Sequence, residues 1–131
     1  MPIINHDYKK IDQLESVITH DNGKPLQGEI DMYRRIYADC DASPYTWHFW
    51  HDLRLPIPVK NQSEIQIDFF LVCEKGAIVV EVKGGGIGVR DGMFYFIADE
   101  GTVMSRSPFD QADDYKYALI GNKIINTQEL F

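Results

Sequence analysis

Within residues 65–86, three charged residues interrupt the two apolar runs that flank residues 74–76, and their side-chain types could do chemistry together. Asp68 lies in the first half of this stretch, and Glu81 and Lys83 lie two residues apart in the second half. Residues two apart on a β-strand project from the same face. A charge buried in a strand without a partner is costly. The pattern therefore indicates a buried ion cluster, a metal site or a water-filled cleft.

The same stretch predicts the structure that would bring these side chains together. Apolar runs lie on both sides of residues 74–76, which are typical of a tight turn between two short strands. If the two strands pair, Asp68 reaches the patch occupied by Glu81 and Lys83. Two carboxylates and an ammonium group then converge on one face of a sheet.

Two predicted helices carry further polar side chains that such a site would use. Apolar residues at helical spacing predict one helix from about residue 26 to residue 39 and another over about 109–126. Glu29 lies beside the apolar stripe of the first helix, where the helix dipole alone also favours an acid. Gln111 and Tyr115 lie one turn apart on the second helix. A surface glutamine and a core tyrosine would show the same spacing.

The remaining pattern predicts a helix over residues 8–20, a strand over 46–55 and a hairpin over 87–97. The hairpin is indicated by Asp91 and Gly92, because Asp-Gly favours a primed two-residue turn. His48 and His51 in the predicted strand are three residues apart, a spacing that suits a metal pair on a helix but not on a strand. We interpret both as packing or surface residues.

Length and composition are those of one soluble globular domain. The chain has 131 residues, and its 44% hydrophobic and 25% charged residues are an ordinary balance for such a domain. No apolar run approaches the roughly 20 residues of a membrane span. Cys40 and Cys73 form neither a disulfide framework nor a Cys-x-x-Cys site. We expect Cys73 to be a buried free thiol and the protein to be cytoplasmic.

The net charge of −7 argues against a simple electrostatic nucleic-acid binder, which usually presents a basic surface. It is compatible with a carboxylate-rich site in which divalent cations reverse the local sign. It is also compatible with other domains or chains supplying much of the affinity for a polyanion.

Four segments carry a resemblance to a known family: Gln27-Gly28-Glu29 opening a helix, Gln66-Ile67-Asp68 in a strand, Glu81-Val82-Lys83-Gly84, and Ser107-Pro108-Phe109-Asp110-Gln111. In this order the segments resemble the NERD (nuclease-related domain) family of the PD-(D/E)xK nuclease superfamily. The likeness covers residues 27–126. Ile67 stands where the superfamily name has proline, which leaves the neighbouring carboxylate in place.

The resemblance implies an α/β fold with a restriction-endonuclease-like core, in which helices flank a central mixed β-sheet of about four or five strands. We expect a single domain over residues 1–131, with an N-terminal helical extension over 1–25 and the nuclease-like core over 26–126. We also expect this domain to be attached to, or excised from, a longer protein.

The resemblance also implies roles for individual residues around a bound Mg²⁺ or Mn²⁺. The implied metal ligands are Asp68, Glu81, Glu29 and the backbone carbonyl of Val82. The implied catalytic side chains are Asp68, Glu81, Lys83, Glu29 and Gln111, and the implied substrate contacts are Gln111, Tyr115 and Gln66. Oxygen ligands are the ones that Mg²⁺ prefers. Neighbouring carboxylates favour the charged form of Lys83, so we favour orientation of water and electrostatic stabilisation for it over general-base catalysis.

The preferred hypothesis is a divalent-metal-dependent deoxyribonuclease in DNA processing or repair. Its partner would be DNA, together with a helicase or another domain in cis or in trans, and a homo-oligomer is left open. The alternative is a catalytically silent module that keeps the nuclease fold and binds nucleic acid or a protein. A zinc protein built on His48, His51 and the cysteines lacks the required spacing and is set aside.

Overall fold

The computed structural model describes residues 1–6, 13–19, 21–59, 62–83, 87–96, 102–103 and 107–121. Its elements in chain order are β1 (Ile3–Ile4), α1 (Leu14–Val17), α2 (Gln27–Ala42), β2 (His48–Leu55), β3 (Ile65–Cys73), β4 (Gly76–Val80), β5 (Ile87–Arg90), β6 (Met93–Phe96), β7 (Thr102–Val103) and α3 (Pro108–Gly121). The predicted N-terminal helix is represented by α1, which ends at Val17, and most of the rest of it lies outside the described residues. The same applies to residue 97 of the predicted hairpin and to residues 122–126 of the last predicted helix.

Within the described part of the chain, four strands form a mixed sheet in the order β1-β2-β3-β4. β1 runs parallel to β2, and the two pairs β2–β3 and β3–β4 are antiparallel. Helices α2 and α3 contribute to two separate hydrophobic clusters, each of which also contains residues of β3. The predicted α/β fold, with a mixed sheet of about four or five strands flanked by helices, is confirmed.

Helix α2 forms because its apolar residues recur on one face. Ile30, Tyr33, Ile36 and Cys40 are buried, and they pack with Phe49, Phe69 and Leu71 of the sheet. Burial of apolar surface stabilises a fold by about 25 cal/mol per Å², so this face supplies most of the driving force for docking the helix. The docked face fixes the rotation of the helix and therefore the direction in which Glu29, in its first turn, can point.

Strand β3 is the centre of the molecule, because both hydrophobic clusters draw on it. Phe69 and Leu71 belong to the cluster that contains α2. Ile65 and Ile67 belong to the cluster that contains α3, although simple alternation would put them on the same face as Phe69. The change of side occurs at Asp68, the one charged residue of the strand. Strand β3 is thus distorted at Asp68.

The hairpin β5–β6 has the predicted turn. Asp91 and Gly92 both have positive φ, 52° and 77° respectively, as a type I′ turn requires. β7 adds a third strand to this hairpin, so the described strands form a second, antiparallel sheet in the order β5-β6-β7.

One predicted strand ends earlier than expected. β4 ends at Val80, so Glu81 and Lys83 follow the strand instead of lying within it. The backbone N–H of Val82 donates to the side chain of Asp68 instead of to a strand partner. Cys40 and Cys73 are buried and free of disulfide bonds, which confirms the prediction for Cys73. None of the described helices combines the length and the apolar character needed to cross a membrane.

Candidate active site

Asp68 and Glu81 form a carboxylate pair at the end of the β3–β4 ladder. Phe69 and Val80 are the last pair of this ladder. Asp68 precedes Phe69 in β3, and Glu81 follows Val80 directly after β4. The backbone N–H of Val82 donates a 2.8 Å hydrogen bond to Oδ2 of Asp68. Burial raises the pKa of Asp68, and burial followed by the Asp68 charge raises the pKa of Glu81. The predicted meeting of the two carboxylates is therefore present.

Glu81 has one satisfied and one unsatisfied oxygen. Its Oε1 accepts a 3.1 Å hydrogen bond from Nζ of Lys83, and its side chain is 8% exposed. Its Oε2 is buried and accepts no hydrogen bond from the described residues, although the Asp68 and Glu81 carboxyl groups are close enough to share a hydrogen bond when Glu81 is protonated. A buried carboxylate oxygen without a donor costs free energy. A cation beside Asp68 and Glu81 would offset this cost.

Lys83 is held between Glu81 and helix α3. Besides Glu81, its Nζ donates a 2.8 Å hydrogen bond to Oε1 of Gln111. Since an ammonium group has only donors, the amide of Gln111 must turn its oxygen toward Lys83 and its nitrogen away. That nitrogen donates a 3.2 Å hydrogen bond to the hydroxyl of Tyr115, one turn later. The one-turn spacing of Gln111 and Tyr115 thus places both in the same polar chain as Lys83.

Glu29 approaches the carboxylate pair from α2 and has a histidine partner. Its Oε2 lies 2.9 Å from Nε2 of His51. Burial, with the charges of Asp68, Asp52 and Glu81, raises the pKa of Glu29 to about 7. Burial lowers the pKa of His51 to about 4. Burial thus disfavours the charged imidazole, and the contact with Glu29 is a hydrogen bond.

Asp52 is an acidic residue of this region that the sequence analysis did not identify. His51 pairs with Phe69 and Leu53 pairs with Ile67, so Asp52 lies opposite Asp68. Its φ of 53° is in the left-handed region, which is uncommon for a residue within a strand. Its Oδ1 accepts a 2.7 Å hydrogen bond from the amide of Gln66.

An open cleft of about 500 Å³ gives solvent access to the pair. It is lined by polar side chains and one aromatic ring: Gln62, Ser63, Glu64, Gln66, Asp68, Glu81, Gln111 and Tyr115. The predicted catalytic and substrate-contacting residues Asp68, Glu81, Gln111, Gln66 and Tyr115 thus share one cavity. Lys83 contacts two of the residues that line the cavity, Glu81 and Gln111.

The donor set fits a hard divalent cation in part. Asp68 and Glu81 supply adjacent carboxylates, and Oε2 of Glu81 accepts no hydrogen bond from the described residues. No group of three His, Cys, Asp or Glu side chains in the described part of the chain is arranged to hold a metal ion. Mg²⁺ commonly takes one or two carboxylates and keeps several waters, so two carboxylates are a sufficient protein contribution. That Glu29 and the backbone carbonyl of Val82 are metal ligands remains a prediction.

The sequence analysis missed Asp52 and did not connect His51 with Glu29. Asp52 is adjacent to His51 in an aromatic stretch. Its acidic character was visible, but no periodicity could indicate that it lies opposite Asp68.

Comparison with known proteins identifies a family. The family model described as the nuclease-related domain matches residues 24–128. That range contains Glu29, Asp68, Glu81, Lys83 and Gln111 and leaves β1 and α1 outside. No curated protein and no solved structure matches the chain.

Proposed function

The chain belongs to the NERD family, and we propose that it is a divalent-metal-dependent nuclease that hydrolyses phosphodiester bonds of DNA. The observation that carries this proposal is the meeting of Asp68 and Glu81 in one cleft, where Lys83 donates a hydrogen bond to Glu81 and one buried Glu81 oxygen accepts no hydrogen bond from the described residues. A purely structural ion cluster would be expected to satisfy that oxygen.

Hydrolysis of a phosphodiester requires a water oxygen to attack phosphorus and a proton to reach the departing sugar oxygen. When bound, Mg²⁺ or Mn²⁺ would polarise the phosphoryl oxygens and lower the pKa of a coordinated water. Asp68 and Glu81 are the residues that would hold it. Lys83 points a charged donor at the same place and would orient the attacking water or stabilise the charge on phosphorus.

In this proposal Gln111 positions the side chain of Lys83. Its amide oxygen, 2.8 Å from Nζ, restricts Lys83 to the side of the cleft where Glu81 lies. Tyr115 in turn keeps the amide in the required orientation through its 3.2 Å contact. Gln66 and Tyr115 line the same cleft and would contact the substrate.

The acidic character of the chain bears on how DNA would be held. With a net charge of −7, the protein offers little long-range attraction for a polyanion. Bound divalent cations would reverse the sign at the cleft. A helicase or another domain, in cis or in trans, would supply the remaining affinity.

A catalytically silent module that keeps the fold is the second candidate. It is favoured by the net charge of −7, which gives the chain little attraction of its own for a nucleic-acid substrate. Such a module would bind nucleic acid or a protein through the same cleft without cleaving anything.

The deciding experiment compares cleavage of end-labelled linear DNA and circular DNA in Mn²⁺ by wild type and by Lys83→Ala. The matched control is Lys116→Ala, which removes an exposed lysine paired with Asp113 on the same protein. We expect Lys83→Ala to lower the cleavage rate by about 100-fold or more, in the range found for lost electrostatic stabilisation, and Lys116→Ala to cleave like wild type. Equal cleavage by all three would overturn the assignment of the site, and no cleavage by wild type would favour the silent module.

A further inference from the structure

His51 is unusual within the described part of the chain, because it is a polar residue that is only 6% exposed. Its ring contacts that of Phe69, with centroids 4.8 Å apart, and that of Tyr33, with centroids 5.9 Å apart. These contacts restrict the rotation of the imidazole. Its Nε2 is thereby aimed at a single carboxylate oxygen of Glu29, 2.9 Å away.

A second histidine connects His51 with the chain terminus. The backbone N–H of His51 donates a 3.2 Å hydrogen bond to Nδ1 of His6. Nε2 of His6 lies 2.7 Å from the hydroxyl of Tyr33, and Tyr33 follows Glu29 by one turn of α2. The contacts therefore run from Glu29 through His51 and His6 and return to the same helix at Tyr33. They join α2 to β2 through a segment that precedes the matched residues 24–128.

The strand register puts this network next to the carboxylate pair. His51 pairs with Phe69, and Phe69 pairs with Val80 on its other side. The adjoining residues toward the cleft are Asp68 and Glu81, whose charges act on Glu29. His51 lies in the neighbouring row of the ladder and contacts Glu29 at 2.9 Å, so it holds Glu29 on the side of the sheet region where the two carboxylates act on it.

We propose that His51 is a positioning residue, which holds the Glu29 carboxylate beside the Asp68–Glu81 pair so that its charge strengthens divalent-cation binding there. His6 supports this position from the N-terminal segment. The inference rests on the proposed metal-dependent function. Loss of a side chain that orients a metal-site carboxylate typically weakens metal affinity by about 10- to 100-fold.

The test measures Mn²⁺ affinity of the full chain by isothermal titration calorimetry, without nucleic acid. We expect His51→Leu to weaken Mn²⁺ binding by about tenfold or more. His51→Gln should restore most of it, because the glutamine amide can place a donor near the position of Nε2. Glu29→Gln should lose as much Mn²⁺ affinity as His51→Leu. The double variant that carries both changes should bind Mn²⁺ no more weakly than either single variant. His6→Leu should show a smaller loss than His51→Leu.

The matched control is His48→Leu, which removes a partly buried histidine of the same strand that stacks on Trp50. It should bind Mn²⁺ like wild type. Wild-type affinity in His51→Leu would overturn the positioning role, as would a His51→Gln affinity as weak as that of His51→Leu. If His51→Leu does not fold, wild-type affinity in Glu29→Gln overturns the proposal instead. A wild-type protein that binds no Mn²⁺ would overturn the metal-dependent function itself, and these outcomes are distinct.

Discussion

Glu29 and His51 have opposite effects on how stability depends on pH. The pKa of Glu29 is raised to about 7 in the folded chain, so the folded state binds more protons than the unfolded state between about pH 4.5 and 7. Its contribution to stability therefore falls as pH rises through that window. The pKa of His51 is lowered to about 4. Its contribution is lost as pH falls from about 6.5 to 4, because the unfolded chain then takes up the proton.

Glu29→Gln should therefore stabilise the metal-free protein at pH 8. It removes an ionised carboxylate that burial and the neighbouring acids disfavour, and we expect a gain of about 1–2 kcal/mol in the free energy of unfolding. The gain should be much smaller at pH 5, where Glu29 of folded wild type is protonated. Urea unfolding in a chelator at pH 5, 6.5 and 8 measures this. Asp31→Asn, on the exposed face of the same helix, should not show the same dependence, and a destabilised Glu29→Gln at pH 8 would contradict the prediction.

Gln111 is predicted to act on catalysis through Lys83. Gln111→Leu removes the oxygen that lies 2.8 Å from Nζ and keeps a side chain of similar size. We expect the cleavage rate at saturating Mn²⁺ to fall by about tenfold, because a displaced lysine stabilises the developing charge less well. Single-turnover cleavage measures the effect. Asp113→Asn, an exposed change on the same helix, should cleave like wild type; an unchanged rate in Gln111→Leu would remove this role.

At the scale of elements, α3 serves the site because one of its faces is anchored in the core. Tyr115 and Leu119 are 3% and 0% exposed and pack with Ile65, Ile67 and Phe70. Gln111 lies one turn before Tyr115, so its position at the cleft depends on that anchoring. The predicted apolar side of the helix is present in these two residues, whereas Ile120 is 36% exposed.

Leu119→Ala should lower the free energy of unfolding by about 2–4 kcal/mol, since it removes a fully buried leucine from a packed cluster. Ile120→Ala, the neighbouring half-exposed residue, should cost less than about 1 kcal/mol. Chemical denaturation of both variants measures the difference. Equal losses would mean that α3 does not dock by the face described.

At the scale of the whole molecule, the negative net charge and the buried carboxylates both favour binding of a divalent cation. Asp68 and Glu81 lie together with raised pKa values, in a chain whose net charge is −7. A divalent cation that binds this site would offset both the local repulsion and the unsatisfied Glu81 oxygen. The folded state should therefore be the form that takes up the metal.

Mn²⁺ should raise the thermal stability of wild type. A ligand that binds only the folded state adds about 2.7 kcal/mol at 100 times its Kd. Asp68→Asn and Glu81→Gln should abolish this gain while remaining folded. Thermal melting with and without Mn²⁺ measures the effect, with sodium chloride at matched ionic strength as the control for general screening. If Mn²⁺ raised the thermal stability of both variants as much as that of wild type, the cation would bind at another site.

The amino-acid sequence by itself determined the features that depend on nearby residues. The Asp91-Gly92 turn, the helical stripe of α2 and the pairing that joins Asp68 to Glu81 across a short turn all follow from local periodicity and local turn chemistry. The tertiary structure decided that β4 ends at Val80, that Asp52 lies opposite Asp68, and that His51 reaches Glu29. Those outcomes depend on strand register and on helix rotation. Both are set by burial of the whole hydrophobic core, to which residues far apart in the chain contribute together.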